Sequence, residues 1–436
     1  MLQKPEWALL GRLTQWLEPF KRCFGHRAQQ LSLREYIHGL LSDSPRKSMQ
    51  AMLARVTEPR SYQAFQHFIT HAPWDAAVVW RRLLAVLPER RGVLLLDDTA
   101  FLKQGRHSVG VTRQYASARH HVTNCQVAVT AALWTGVRAW LVGAELYLPE
   151  TWLTPGARAA ARIPAARRFA EKWRLALRLV QRVRAAGLTI DAVVADAGYG
   201  TVVALRTALD RAGLPYVMGI TSDTTAFDGI PIARPGRGPR RPRGGGIVET
   251  PEVSVRILAE RLPRRAWRTV TWRNGRQRAW RAPFAAVRVV PVAPWRTHRR
   301  LDPCWLLCER SRDHPSGFRF YFSNLAETTP LARLARLAHQ RWAIEQQYSD
   351  LKTELGLDHF EGRTFPGWTH HIVLGAVAYA FLQCERRRRA TVTLTFPQIR
   401  AVVQETFTGF LIASRPKYLD WFNAGRQYLE DHPLRI

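Results

Sequence analysis

Two short apolar segments that end in acidic residues constrain the fold of this sequence more than any other feature. VLLLDD occupies residues 93–98, and DAVVADAGYG occupies residues 191–200. A continuous apolar run of this length is typical of a strand buried on both faces, with functional groups at the end of the strand. We therefore expect two buried strands, each followed by at least one carboxylate.

The residues around these strands predict a mixed fold. Residues 124–148 predict a hairpin of two strands joined at Thr135-Gly136, residues 167–187 predict an amphipathic helix, and residues 215–220 predict a further strand. Antiparallel strands followed by helix-linked strands indicate a mixed α/β fold class.

A third acid lies in the segment RWAIEQQYSDLK, residues 341–352. At about 100° per residue, four of its polar side chains fall on one stripe of an α-helix: Arg341, Glu345, Tyr348 and Lys352. A neighbouring apolar stripe is expected to face the core: Leu337, Ile344, Leu351 and Leu355. The competing interpretation is a solvated helix edge stabilised by ion pairs.

The acids of the two strands and of this helix form a candidate site. If the strands are neighbours, Asp97, Asp98 and Asp196 converge at their ends, and the helix can bring Glu345 over them. Clustered carboxylates repel one another without a cation, and their hard oxygen atoms suit Mg²⁺ or Mn²⁺. A pair of such ions supports phosphodiester chemistry. For Asp98 and Asp196 singly, a helix cap or turn residue is the alternative.

The charge balance narrows the class of partner. The chain has 436 residues, with 65 Lys and Arg against 34 Asp and Glu, which gives a formal net charge of +31. A surface this basic repels itself unless a polyanion neutralises it, so nucleic acid is the expected partner. The charge also disfavours a carboxylate-pair glycosidase, which needs no positive field. A chain of this length predicts about two to four domains or a large insertion.

Membrane, secreted and zinc-binding proteins fit the sequence poorly. The longest apolar run, residues 372–382, is about half of a bilayer span, and no N-terminal signal segment is visible. The five cysteines are scattered, and only Cys304 and Cys308 are close, without a second pair to complete a zinc site. These features predict a cytoplasmic protein with reduced thiols.

With these motifs, the sequence resembles the bacterial insertion-sequence transposases that carry an Asp-Asp-Glu triad and act by cut and paste. The resemblance runs from about Tyr36 to Leu382 and is strongest in LLLDDTAFLKQGRHSVGVTRQY, NCQVAV, ADAGYG and RWAIEQQYSDLKTELGLDHFEGR. It implies a ribonuclease H-like mixed sheet flanked by helices, with a β-rich insertion and an N-terminal helical domain. It also implies a DNA transposase that acts on terminal inverted repeats and target DNA, as a homodimer in the DNA complex, near the bacterial nucleoid.

The resemblance divides the chain into five segments. We expect a helical DNA-binding domain at 1–90, the first part of a catalytic core at 91–222, a β-rich insertion at 223–317, the second part of the core with the Glu helix at 318–390, and a C-terminal helical region at 391–436.

The resemblance also assigns roles within the site. Three acids are implied as ligands of Mg²⁺ or Mn²⁺: Asp97, Asp196 and Glu345. The first acid of the family lies in an Asp-x-Thr context, which Asp97 satisfies, and Asp98 is the alternative ligand. Arg341 and Lys352 are expected to clamp the phosphate near the cut, with Tyr348 beside them. Ala338 stands where the family has a tyrosine, which is a departure from its pattern.

Further residues are candidates for DNA contact. Basic residues that can neutralise phosphates, or that are ordinary surface charge, are Lys103, Arg106, His107, Arg113, Arg237, Arg240, Arg241 and Arg243. The last four belong to residues 234–246, which contain only Arg, Pro and Gly and predict an irregular loop. Tryptophans that can receive a flipped base, or that are structural, are Trp272, Trp280 and Trp305. The alternative function is a catalytically retired transposase that acts as a sequence-specific DNA-binding protein.

Overall fold

The fold is taken from a computed structural model, which describes residues 6–56, 61–116, 121–229, 233–234, 247–248, 250–274, 279–292, 302–311, 314, 316–389 and 394–415. Its helices are α1 (Ala8–Lys21), α2 (Arg27–Leu41), α3 (Met49–Leu53), α4 (Tyr62–Thr70), α5 (Ala76–Val86), α6 (Pro155–Ala161), α7 (Lys172–Ala185), α8 (Ala197–Gly200), α9 (Val203–Arg211), α10 (Val255–Glu260), α11 (Leu331–Ala338), α12 (Trp342–Ser349), α13 (Phe365–Arg388) and α14 (Phe396–Ser414). Its strands are β1 (Arg91–Leu102), β2 (Thr112–Ala116), β3 (His121–Trp134), β4 (Ala139–Leu146), β5 (Thr189–Ala195), β6 (Tyr216–Ile220), β7 (Thr225–Phe227), β8 (Ala233–Arg234), β9 (Ile247–Val248), β10 (Glu252–Ser254), β11 (Arg268–Asn274), β12 (Ala279–Val289), β13 (Cys304–Arg310) and β14 (Phe318–Ser323).

Within the described ranges, ten strands form one mixed sheet. Its order is β11-β12-β13-β14-β6-β5-β1-β3-β2, and β4 pairs with the second half of β3. Strands β1, β5 and β6 are parallel to one another, whereas β1 and β3, β3 and β4, and the outer strands are antiparallel. With helices packed on both faces of this sheet, the predicted mixed α/β class is confirmed.

Strand β1 is buried on both faces, as its apolar run predicts. Because successive side chains of a strand alternate between faces, Val93 and Leu95 pack with Ile344 of α12. Leu94 and Leu96 belong instead to the large cluster that includes α13. We call these two sides of the sheet the α12 face and the α13 face.

The hairpin between β3 and β4 turns at residues 135–138. The Thr135 amide donates to the Arg138 carbonyl at 3.0 Å, and Gly136 has φ of 91°. Glycine adopts this backbone region without a steric penalty from Cβ. The turn predicted at Thr135-Gly136 is therefore confirmed.

The α13 face is covered by helices from both ends of the chain. Thr364 is the N-cap of helix α13, and its side chain accepts a hydrogen bond from the Gly367 amide. The central part of α13 is mostly apolar and is buried on all sides. The N-terminal helices pack around it: the Tyr36 hydroxyl lies 2.8 Å from Nδ1 of His371, and Arg12 forks onto both oxygens of Glu385 at 2.8 and 2.7 Å. The described residues of the N-terminal segment form helices α1 to α5, which share one core with the sheet.

Of the described strands in the segment predicted as a β-rich insertion, β11, β12 and β13 lie in the same sheet, whereas β7 pairs with β10 and β8 pairs with β9 in two separate two-stranded sheets. Strands β11, β12 and β13 continue the sheet beyond β14, whose partner on the other side is β6. The described part of the C-terminal segment contains α14, which starts with a capping box between Thr395 and Gln398. Of the helices that the structure describes, none is both long and apolar enough to cross a membrane.

Candidate active site

Asp97 and Asp196 occupy neighbouring positions on adjacent parallel strands. The last residue pair between β1 and β5 is Leu96 with Ala195, and each aspartate follows its member of that pair. Adjacent strands lie roughly 4.8 Å apart, so the two carboxylates start from the same edge of the sheet. The convergence expected from the sequence is therefore present for these two acids.

The glycines after Asp196 let the following helix lie close to the sheet. A Cβ atom on Gly200 would stand 1.8 Å from the carbonyl oxygen of Gly219 in β6, which no side chain tolerates. Helix α8 therefore begins directly at Asp196 and packs on β6. The ADAGYG motif fixes the position of the second acid.

Asp97 is a buried carboxylate with a strongly raised pKa. Its side chain accepts hydrogen bonds from the Asp98 amide at 2.8 Å and from Arg341 at 2.7 Å. Burial, with the nearby Asp196 and Asp98 adding to its effect, raises the pKa of Asp97 to about 7 against the opposing effect of Arg341. The site thus contains negative charge that a single guanidinium does not fully compensate.

Asp196 has the same imbalance. Burial raises its pKa, Arg341 opposes that shift, and the nearby Asp98 adds to it. Its Oδ1 atom is buried and has no hydrogen-bond partner among the described residues. A buried carboxylate oxygen without a donor is costly and is suited to a cation.

Asp98 points to the opposite side of the sheet. Alternation along β1 places it on the α13 face, where its Oδ2 lies 2.5 Å from Nζ of Lys172 at the start of α7. This carboxylate already has a cation of its own. The geometry therefore favours Asp97 over Asp98 as the acid that faces Asp196.

The third acid lies on a helical segment with three different geometries. A 3₁₀ turn (residues 339–341) leads from α11 into α12, and a π-helical turn (residues 350–354) follows α12. Single π turns inside helices frequently occur at functional sites. All four apolar residues of the predicted stripe are buried, but they divide between the two faces: Leu337 and Ile344 on the α12 face, Leu351 and Leu355 on the α13 face.

The polar stripe of this helix faces β1 and β3. Arg341 pairs with both Asp97 and Glu345, at 2.7 and 2.5 Å. The Tyr348 hydroxyl lies 2.5 Å from Oγ1 of Thr130 in β3, and burial raises the pKa of this tyrosine well above its ordinary value. Lys352 donates to the Ala100 carbonyl at 2.8 Å, and burial lowers its pKa. The helix is thus fastened to the two central strands on either side of Glu345.

Glu345 projects into a cleft of about 640 Å³ that Asp196 and Arg341 also line. Its side chain is 53% exposed, and its carboxylate meets Arg341. As the side chains stand, no group of three or more His, Cys, Asp or Glu in the described ranges is arranged to hold a metal ion. The structure brings Asp97 and Asp196 side by side and joins Glu345 to them through Arg341.

Two of the three candidate tryptophans line the same cleft. Trp272 stacks on His339 with ring centroids 3.8 Å apart, and Trp280 is 49% exposed. Trp305 is placed differently: its indole donates to the Ala326 carbonyl at 3.1 Å, and Arg288 lies over its ring. Trp272 and Trp280 remain candidates for contact with a base, and Trp305 is part of the packing.

Comparison with known proteins agrees with this geometry. A family model described as DDE superfamily endonuclease matches residues 19–279, which is more than half of the 436-residue chain. The chain belongs to this family. The matched range contains Asp97 and Asp196 and ends before Glu345. The predicted kinship with enzymes of the Asp-Asp-Glu type is confirmed at the level of the family.

The chain also resembles a curated protein of Microchaete diplosiphon named "Probable transposase for insertion sequence element IS701". The two are 28% identical over 196 residues, which cover 43% of this chain and 48% of the relative. The alignment therefore spans about half the length of that protein.

The predicted DNA contacts of the chain fall into three groups. Lys103 donates to the carbonyls of Phe360 and Asp358, at 2.6 and 3.2 Å, so its ammonium group is held by the protein itself. Three further basic residues are exposed: Arg106, His107 and Arg113. Four lie outside the described residues: Arg237, Arg240, Arg241 and Arg243.

Sequence reasoning missed several residues around the acids. Lys172 was not expected beside Asp98, and Thr130 was not expected beside Tyr348. His339, which stacks on Trp272, also lies 3.1 Å from the buried Glu309. Only the alternation along β1 carried a usable signal, because it places consecutive aspartates on opposite faces. The other contacts join residues far apart in the chain.

Proposed function

We propose that this DDE superfamily endonuclease is the transposase of a bacterial insertion sequence. In this proposal it cleaves phosphodiester bonds at the transposon ends and joins the 3′ ends to target DNA. The observation that carries the proposal is the placement of Asp97 and Asp196 at matching positions of β1 and β5, with Arg341 between them and Glu345. The family, the name of the curated relative and the net charge of +31 support it.

The topology of the sheet supports a ribonuclease H-like core. Strands β1, β3 and β4 are antiparallel neighbours, and β5 and β6 follow on the other side of β1 in parallel. In this proposal residues 1–90 bind DNA, and residues 223–317 are the insertion, of which strands β11, β12 and β13 extend the sheet. The working complex is a homodimer on DNA.

The acids suit a divalent metal ion. Asp97, Asp196 and Glu345 would hold Mg²⁺ or Mn²⁺, since their donor set consists of hard oxygen atoms and the buried Oδ1 of Asp196 has no donor among the described residues. Bound there, the metal would supply an activated nucleophile and stabilise the departing oxygen. Glu345 would have to exchange its ion pair with Arg341 for this role.

In this proposal the other residues of the site bind and position DNA. The guanidinium of Arg341 can fork onto a phosphate oxygen pair, and Lys352 can add a point charge once it leaves the Ala100 carbonyl. The contact between Tyr348 and Thr130 fixes the Glu helix on β3. Trp272 and Trp280 offer aromatic faces in the cleft on which a base can stack.

Replacement of the third acid tests the proposal. Glu345→Gln keeps the shape of the side chain but removes its charge, so cleavage of terminal-repeat DNA in Mg²⁺ should fall by roughly 10³-fold, as when a group that stabilises transition-state charge is lost. Binding of the same DNA should stay nearly intact, because it rests on many phosphate contacts. Nicking and gel-shift assays on one preparation measure both.

The matched control is Glu327→Gln, which removes an acid that is 76% exposed and pairs with Arg288. It should change neither activity. Undiminished cleavage by Glu345→Gln would refute the site. A wild-type protein that binds the ends but does not nick them in Mg²⁺ or Mn²⁺ would instead support a retired transposase that only binds DNA.

A further inference from the structure

Arg341 holds the acidic site together in the absence of DNA. One nitrogen of its guanidinium donates to Asp97 at 2.7 Å, and the other lies 2.5 Å from Glu345. The same cation opposes the raised pKa of Asp196. One guanidinium therefore pairs with a carboxylate of β1 and a carboxylate of α12, and it also acts electrostatically on Asp196.

This arrangement occupies one carboxylate oxygen of Asp97 and one of Glu345 that a metal ion would need. Arginine remains charged at all relevant pH values, so it cannot leave the site by losing its proton. It can leave only by a movement of its side chain, which another anion would favour. Its side chain is 34% exposed and lines the cleft, so a phosphate that enters the cleft has a direct approach to it.

We propose that Arg341 is a positioning residue that acts as a surrogate cation in the DNA-free protein and is released by a DNA phosphate. This inference rests on the proposed function, because it takes the acids to be metal ligands. While Arg341 holds Asp97 and Glu345, a divalent metal binds weakly. When the phosphate draws Arg341 into the cleft, the carboxylates become available, so metal and DNA bind cooperatively.

The size of the effect follows from the fraction of molecules in which the acids are free. The apparent affinity for a ligand is reduced by the fraction of the binding-competent state. If Arg341 is withdrawn in about one molecule in ten, the metal affinity of the DNA-free protein is about tenfold weaker than that of the open site. DNA binding should raise the metal affinity of the wild type by this factor, and removal of the guanidinium should raise the metal affinity by the same factor without DNA.

The test measures Mn²⁺ binding to the full chain by electron paramagnetic resonance, with no dependence on catalysis. Without DNA, Arg341→Gln should bind Mn²⁺ about tenfold more tightly than the wild type. A random-sequence duplex should tighten Mn²⁺ binding by the wild type by a similar factor and should change binding by Arg341→Gln little. Arg341→Lys, which keeps the charge, should stay near the wild type without DNA.

Arg273→Gln is the matched control. It removes the same charge from the same cleft, but Arg273 lies over the ring of Trp342, 3.9 Å from its centre, instead of between the acids. Its DNA-free Mn²⁺ affinity should stay near the wild-type value. If Arg273→Gln tightened binding as much as Arg341→Gln, the general positive field would explain the result and the surrogate role would be overturned.

Asp196→Asn separates failure of this inference from failure of the proposed function. Mn²⁺ binding that is abolished by Asp196→Asn but equal in the wild type and Arg341→Gln would overturn only the role of Arg341. Mn²⁺ binding that does not change in Asp196→Asn would place the metal elsewhere and would overturn both. Melting curves of every variant identify any that fail to fold.

Discussion

The two faces of the central sheet differ in how far nearby arginines compensate the charge of their buried acids. On the α13 face, Glu145 lies between Arg167 and Arg182, which hold its pKa below the ordinary value although burial alone would raise it. On the α12 face, burial raises the pKa values of Asp97 and Asp196, and Arg341, which also pairs with Glu345, opposes these shifts without cancelling them. The fully paired acid on the α13 face contributes to structure, whereas the incompletely compensated acids on the α12 face are available for a ligand.

Asp97 and Asp98 show this contrast within one dipeptide. They differ by one position in β1, yet one faces Arg341 and the other faces Lys172. A carboxylate with its own ammonium partner contributes little to a shared metal site. The neighbourhood, and not the residue type, decides which aspartate is a candidate for catalysis.

The largest expected effect tests this contrast directly. Asp97→Asn should lower DNA cleavage by roughly 10³-fold, since it removes a charge that stabilises the reacting centre. Asp98→Asn, the matched change on the other face, should keep cleavage within about tenfold of the wild type, because Asp98 influences the reacting centre only through its electrostatic field. Single-turnover nicking at saturating DNA measures both variants.

A larger loss of cleavage in Asp98→Asn than in Asp97→Asn would assign the metal site to Asp98 and would contradict the distinction between the two faces. Equal losses would mean that both carboxylates act as one unit. Denaturant unfolding of each variant shows whether the loss arises from stability, since Asp98→Asn leaves Lys172 without its partner.

Much of the fold is readable in the sequence because local patterns specify it. The apolar run before Asp97 predicts β1, the glycine at position 136 predicts the hairpin, and the spacing of Arg341 and Glu345 predicts their contact on one helix. Each of these depends on residues a few positions apart. The mixed class and the pairing of the first two acids follow from them.

The remaining features depend on contacts between distant segments. Leu94, Leu95 and Leu96 are all apolar, so the run itself does not say which face is the site. Strand β13 pairs with β14, β14 pairs with β6 of the central strands, and α2 packs on α13. The last two contacts join segments that are far apart in sequence. The π turn at residues 350–354 has no sequence signature, because the same periodicity fits an α-helix.

A buried cation on the α13 side provides the second test. Lys47 is 5% exposed, donates to the Ser42 carbonyl at 2.7 Å, and lies near Arg400; burial, with Arg400 adding to it, lowers its pKa from 10.5 to about 7. Unlike Glu145, this group is buried without full compensation. A lowered pKa at Lys47 would contradict the idea that every buried charge on the α13 side is paired.

The sign of the pH effect follows from proton binding. Between pH 7 and 10.5 the unfolded chain binds a proton at Lys47 that the folded chain does not bind, so the free energy of unfolding rises with pH in this window. Relative to Lys47→Met, the wild type should gain up to about 1.4 kcal/mol per pH unit. Urea unfolding of both proteins across the window measures this difference. A constant difference would show that Lys47 keeps its ordinary pKa.

The smallest expected effect distinguishes two tryptophans on the α12 face, one that lines the cleft and one that is part of the packing. Trp280 is 49% exposed and lines the cleft with Glu345, whereas the indole of Trp305 is committed to the Ala326 carbonyl. Stacking of a base on an aromatic ring contributes roughly 1–3 kcal/mol, so Trp280→Ala should lower the affinity for single-stranded ends by about tenfold or more. Trp305→Ala should leave this affinity within about twofold and lower the midpoint of urea unfolding instead, because it removes packing and a hydrogen bond. Fluorescence anisotropy with an end oligonucleotide measures the affinities. If Trp305→Ala weakened DNA binding as much as Trp280→Ala, the surface that binds DNA would extend over the outer strands, and the cleft would no longer be the distinct part of this face.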